Sequence, residues 1–212
     1  MSNLGSKLLQ QLKGLKLKIL SAIVAITLAT LSTSAAMAGD YDNTAMQLTA
    51  QSDAYSVSVK SPKTGATEFA VGSTVGPVDV TGTWLRNGAV DNYALKVGKE
   101  VAVAGLVYAG AEAEFTFGDS YTTDTRTLIA TPYVGVAHTM GQLTPYAQVG
   151  YAFKSTSNDA LNFARNDSYL EVGANYAVTP VMAVKLAIKE TRDTNFKNAG
   201  DKNATVGVTV NF

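Results

Sequence analysis

Cysteine is absent from this sequence of 212 residues. Disulfide bonds are therefore excluded, and so is a lipoprotein anchor, which needs a cysteine after an apolar leader. Histidine occurs once, at His138, so a Cys/His metal centre cannot be assembled. A Gly-rich phosphate loop and a nucleophile elbow are also missing. We therefore expect neither a metal nor a cofactor, and no enzymatic activity.

Long apolar runs are confined to the start of the chain, which has the order of a secretory signal peptide. Four lysines precede an apolar stretch over 19–31, and small residues then lead to Ala36-Met37-Ala38. A membrane anchor is the alternative, but these thirteen residues are short for a spanning helix of about 20. We predict export, with cleavage after Ala38.

Charge is balanced only when the leader is included. Lys and Arg number 17, as do Asp and Glu, but no acid precedes Asp40. The chain beyond the leader is therefore mildly acidic, which argues against nucleic acid as a partner. It also lacks any apolar run that could form a spanning helix. If this part enters a membrane, it crosses as strands.

Apolar and polar residues alternate from residue 54 onward, in short runs separated by turn residues. In the last run Val206, Val208 and Val210 alternate with Gly207 and Thr209. A period of two places each set on one face of a strand. Ten such runs are present, and short turns alternate with longer polar segments, as in outer-membrane barrels.

The fold expected is all-β, an antiparallel up-and-down transmembrane β-barrel of ten strands, with eight strands as the alternative. The longest polar segments are at 118–124, 155–166 and 191–202. An even strand count places both ends of the barrel at the rim opposite these segments. The expected organisation is a signal peptide at 1–38, a short N-terminal segment at 39–53 and the barrel at 54–212.

The stretch TPYVGVAHTMGQLTPYAQVGYAF at 131–153, and the pattern from there to Phe212, resembles small bacterial outer-membrane barrels. These are the OmpA/OmpX-like and porin-like proteins. The resemblance implies a barrel domain without the periplasmic peptidoglycan-binding domain that many OmpA-like proteins carry. It also implies outer-membrane lipid as a partner, and the barrel-assembly machinery, which reads a terminal strand ending in an aromatic residue. Polar loops could bind surface ligands.

Strand parity predicts two sets of site residues. The polar faces carry charges expected to face the lumen and to pair there, with Glu112 and Glu114 opposite Lys185 and Lys189 as one arrangement. Late strand positions carry aromatics expected to lie at the membrane interfaces. The lumen-facing charges are Lys60, Glu68, Asp79, Lys96, Glu112, Glu114, Glu171, Lys185 and Lys189. The interfacial aromatics are Trp84, Phe115, Phe117, Tyr151, Phe153, Tyr176 and Phe212.

The function expected from this pattern is porin-like, the passive passage of ions or small polar solutes through the outer membrane. A non-conducting surface barrel, serving envelope integrity, adhesion or phage contact, is the alternative. An exported soluble β-sandwich would also alternate, but its outer face would be richer in long polar side chains. His138 lies beside a short turn on the lipid-side parity, so we expect no catalytic role for it.

Overall fold

A computed structural model describes residues 43–63, 66–87, 90–120, 123–156, 165–192 and 199–212. The predicted signal peptide and its cleavage site lie outside these residues. Within the part described, no helix has the length and apolar character needed to span a membrane.

The described residues form eleven β-strands, ten of which carry the period-two alternation read from the sequence. They are β1 (Asn43–Gln51), β2 (Tyr55–Pro62), β3 (Thr67–Val75), β4 (Val78–Asn87), β5 (Val90–Ala104), β6 (Val107–Ser120), β7 (Thr123–Ala137), β8 (Leu143–Thr156), β9 (Arg165–Thr179), β10 (Met182–Arg192) and β11 (Ala199–Asn211).

The strands close into a single barrel in which each strand pairs with its neighbours in sequence and β1 pairs with β11. All the sequential pairs are antiparallel, whereas β1 and β11 run parallel, with Leu48 opposite Val208. The parallel pair follows from the count. In an up-and-down sheet with an odd number of strands, the first and last strands point the same way.

The expected all-β antiparallel barrel is therefore confirmed, but the count of ten strands, or eight, was wrong. The ten expected runs correspond to β2–β11, and the additional strand is β1, within the segment at 39–53. This strand has only two large apolar residues, Met46 and Leu48, so its alternation is faint. Because β1 runs parallel to β11, the two ends of the barrel lie at opposite rims, not at one rim as an even count implied.

Two kinds of connection define the rims. At the turn rim, tight turns at Gly76, Gly105 and Gly141 adopt positive φ angles of 54–63°, which glycine reaches without steric cost. At the opposite end, the loop rim, β8 ends at Thr156 and β9 begins at Arg165, and β10 ends at Arg192 and β11 begins at Ala199. The polar segment at 118–124 proves to be mostly strand, because β6 and β7 remain paired from Ser120 and Thr123 onward.

The two faces of the wall differ in chemistry. Outward side chains are apolar and widely exposed, for example Val71 (60%) and Leu186 (50%), as expected of a surface that meets lipid. The best-buried outward cluster lies at the β1–β11 seam, where Val208 packs against Leu48 and Val184. Side-chain packing therefore reinforces the backbone pairing that closes the barrel.

Candidate functional site: the barrel lumen

The inward faces enclose one large polar cavity of about 780 Å³. Its lining extends from Ala137 and Thr144, at the turn rim, to Thr191 and Asn203, near the loop rim. The cavity therefore follows most of the length of the barrel.

Ion pairs between neighbouring strands hold most of the charges in the lumen. Lys60 on β2 lies 3.4 Å from Glu68 on β3. Lys96 on β5 contacts two carboxylates of β6, Glu112 at 3.3 Å and Glu114 at 3.5 Å. These side chains are about one-third to two-fifths exposed, so water reaches the pairs and weakens each of them.

Another ion pair joins β9 and β10, and its carboxylate is the least exposed of those in the lumen pairs. Glu171, with 14% of its side chain exposed, accepts hydrogen bonds from Tyr146 at 2.7 Å and from Lys185 at 3.5 Å. The ammonium of Lys185 also lies 5.2 Å from the Tyr146 ring centroid. Glu171 thus has two partners, which compensate for its loss of hydration.

Four inward tyrosines are each registered opposite a glycine on the neighbouring strand. Tyr108 is opposite Gly135 and Tyr133 is opposite Gly110, on β6 and β7. The same reciprocal arrangement joins β8 and β9. A Cβ atom added to any of these four glycines would come within 2.2–2.6 Å of the facing ring. Each tyrosine ring therefore lies over a glycine of the neighbouring strand. Any larger residue in place of the glycine would clash with the ring. The second set of pairs is Tyr146 with Gly173 and Tyr169 with Gly150.

The tyrosine hydroxyls are tied into a hydrogen-bond network. Gln148 accepts from Tyr108 at 3.1 Å and donates to Tyr169 at 3.3 Å, while Tyr133 donates to Glu100 at 3.2 Å. These hydrogen bonds hold the tyrosine rings in place along the inner surface of β6–β9. The cavity is lined by these rings and, on the other strands, by side chains such as Gln47, Lys60 and Thr205.

Most of the charges selected from the sequence lie around this space, although with partners that differ from the arrangement expected. Glu112 and Glu114 pair with Lys96 rather than with Lys185 or Lys189. Asp79 lies exposed near the turn rim, where it accepts a hydrogen bond from Thr74 at 2.7 Å.

Sequence reasoning missed five charged or aromatic side chains of the lumen: the four tyrosines and Glu100. A usable signal was present. On the inward parity, a tyrosine and a glycine lie two residues apart in Tyr108-x-Gly110 and Tyr133-x-Gly135, and four residues apart on β8 and β9. Parity alone assigns them to the lumen, but only the register shows that each ring covers the glycine of a neighbouring strand.

The aromatic residues selected from the sequence include an outward row near the loop rim. In register, Trp84 lies between Phe69 and Tyr93, and Tyr93 pairs with Phe117. Phe69 and Trp84 stack with ring centroids 5.2 Å apart. Such a band has the geometry of an interfacial girdle. Phe115, Tyr151 and Phe153 belong to the same outward surface, and Tyr176 and Phe212 lie at the turn rim.

The outlying histidine, His138, follows the last residue of β7 and is exposed, with its backbone N–H donating to Pro145 at 3.1 Å. Across the described ranges, no group of three or more His, Asp or Glu side chains is arranged to hold a metal ion.

Comparison with known proteins gives one positive result. No curated protein matches the chain. A family model does match, over residues 24–212, and its description is "Outer membrane protein beta-barrel domain". Together with the closed barrel and its apolar outer face, this match shows that the chain belongs to that family and is a small outer-membrane β-barrel protein, as its sequence resemblance implied.

Proposed function

We propose that the barrel is a narrow, porin-like channel for the passive passage of ions or small polar solutes. The observation that carries this proposal is the polar cavity of about 780 Å³, whose lining extends from one rim to the other. A lumen built only to be filled would be packed by its own side chains, as in the smallest barrels.

The charges around the cavity support passage because they are distributed along the wall. Lys60, Lys96, Lys185 and Lys189 come from three strands, and carboxylates neighbour three of the four. A solute would therefore meet a wall that offers both signs of charge and many hydroxyls. Such a wall can replace part of the hydration of a small polar solute without holding it too tightly to leave.

We also propose that the chain reaches the outer membrane by cleavage of its signal peptide and by recognition of its last strand. The apolar outward face would contact lipid, and the aromatic row would mark one interface.

The proposal is tested by recording from planar bilayers containing purified protein whose folding is verified by heat-modifiable gel migration. The parent protein is expected to give discrete conductance steps. Gly207→Phe places a ring in the lumen, because a Cβ atom there meets only Lys185 and Gln47 at 3.5 Å or more. Conductance should fall several-fold in this variant.

The matched control is Gly82→Phe, which adds the same ring at an outward position with nothing within 4 Å of the new Cβ. Its conductance should equal that of the parent. If folded parent protein gives no steps, the channel proposal is wrong and the non-conducting surface barrel is favoured. Equal conductance of the two variants would show that current does not pass through this lumen.

A further inference from the structure

Two charged side chains that line the cavity form no close ion pair with the described residues, although one of them, Lys189, is registered opposite Glu171 on β9. Among the described residues, Lys60, Lys96, Glu112, Glu171 and Lys185 all form ion pairs. The remaining two charges that line the cavity, Glu100 and Lys189, have no ion-pair partner within the described strands. One is an anion and the other is a cation.

Each of the two charges is instead held by a tyrosine. Glu100 accepts a hydrogen bond from the Tyr133 hydroxyl at 3.2 Å. The Lys189 ammonium lies 4.0 Å from the centroid of the Tyr169 ring, in cation–π contact. Tyr133 covers Gly110 and Tyr169 covers Gly150, and Tyr169 also accepts a hydrogen bond from Gln148, so each charge contacts a ring that is packed against the wall.

The two charges lie on opposite walls of the lumen. Glu100 is on β5 and Lys189 is on β10. In the ring of eleven strands these are five strands apart in one direction and six in the other. No two strands of this barrel are further apart, and both residues line the same cavity.

The rest of the wall has the same polarity. Carboxylates dominate the inward faces of β3–β6, whereas lysines dominate those of β10 and β2. On β3–β6 the acids are Glu68, Glu100, Glu112 and Glu114, and the base is Lys96. The lysines of β10 and β2 are Lys185, Lys189 and Lys60, and Glu171 on β9 lies beside the first two. The two signs of charge are therefore unevenly distributed around the lumen.

We propose that this cavity is a binding site for a zwitterionic solute, one that carries both a carboxylate and an ammonium group. Its carboxylate would contact Lys189 and its ammonium group would contact Glu100, beside the Tyr133 ring. A simple anion or cation would satisfy only one of the two residues, whereas a zwitterion compensates both at once. The cavity volume is within the range of small-molecule sites. That the bound zwitterion is also the solute transported by the barrel rests on the proposed channel function.

Binding is tested by calorimetry on the detergent-folded full chain, a measurement that does not require conductance. The probes are 6-aminohexanoate, hexanoate and hexylamine, which share one carbon skeleton and differ in charge. Glycine and 4-aminobutyrate vary the distance between the two charges. At least one zwitterion should bind about tenfold or more tightly than both singly charged probes, because each of those loses one charge-assisted contact.

Variants assign the effect to the two residues. Lys189→Met and Glu100→Gln should each abolish the preference for the zwitterion. The double variant Lys189→Glu with Glu100→Lys should restore the preference for the zwitterion, which would then bind in the opposite orientation. Lys63→Met and Asp53→Asn, exposed charges outside the cavity, are the charge-matched controls and should bind like the parent. Heat-modifiable migration verifies that each variant is folded.

The outcomes separate this inference from the channel proposal. Zwitterion binding in a protein that does not conduct would support the site and overturn the channel. Conductance without any preference for zwitterions would leave the channel standing and overturn the site. The site is also overturned if the preference survives in both single variants, or if hexanoate binds as tightly as 6-aminohexanoate.

Discussion

The substitution Gly135→Ala tests the tyrosine–glycine pairs that shape the lumen. A Cβ atom at this position would lie 2.3 Å from Cζ and 2.4 Å from the hydroxyl oxygen of Tyr108. The ring must therefore turn away, and its hydrogen bond to Gln148 at 3.1 Å is lost. Overpacking costs about 1–3 kcal/mol, and a lost hydrogen bond about 1 kcal/mol. We expect Gly135→Ala to lower the free energy of unfolding by about 2–3 kcal/mol, measured by urea titration in lipid vesicles.

Two comparisons isolate the cause. Gly82→Ala introduces the same methyl group at an outward strand position with nothing within 4 Å, and its effect should be below about 0.5 kcal/mol. In the background of Tyr108→Ala, the change Gly135→Ala should cost little, because the obstructing ring is gone. The reasoning is refuted if Gly135→Ala is as mild as Gly82→Ala, or if the two changes at Tyr108 and Gly135 are additive.

Two further predictions concern the outer face and the last strand. Val149→Arg, at an outward position in the middle of β8, should destabilise the protein in vesicles by about 2–4 kcal/mol. Thr205→Arg, which faces the cavity from β11, should destabilise the protein less. Equal destabilisation by the two variants would contradict the assignment of inward and outward faces. Phe212→Asp should sharply lower the membrane-inserted fraction in cells but affect refolding into detergent much less, because assembly recognition is absent there. Insertion in cells equal to that of the parent would contradict a role for Phe212 in recognition.

The fold could be predicted from the sequence to the extent that side-chain parity determines it. Alternation in β2–β11 indicates ten strands and their two faces, because burial against lipid requires one apolar face. In β1, by contrast, Thr44, Ala45 and Ala50 carry little contrast between faces. The strand forms because it has two neighbours to pair with, and such long-range pairing leaves no local pattern in the sequence.

The sequence allowed us to predict which charged residues face the lumen, but not which of them form ion pairs with one another. Parity identified Lys96, Glu112 and Lys189 as inward candidates, and all three line the cavity. Which carboxylate reaches which lysine depends on register between strands, and a shift of one residue would exchange the two faces. The register places Lys96 beside Glu112 and Glu114, and it places Lys189 opposite Glu171, with the Lys189 ammonium lying over the Tyr169 ring.

The central structural claim is the closed ring of eleven strands, since the cavity and its opposed charges depend on that closure. The sequence contains no cysteine, so a disulfide can form only between two cysteines that are introduced by mutation. Leu48→Cys with Val208→Cys joins registered neighbours on β1 and β11, about 4.8 Å apart, which a disulfide can bridge. Val59→Cys with Val208→Cys spans β2 and β11, which in the ring have β1 between them and lie about 10 Å apart.

Oxidation of folded protein in outer membranes, followed by unreduced gel analysis after heating, distinguishes the two closures. The account predicts efficient cross-linking of the 48–208 pair and little of the 59–208 pair. A ten-stranded barrel in which β2 pairs directly with β11 predicts the reverse, and that result would contradict the eleven-stranded ring.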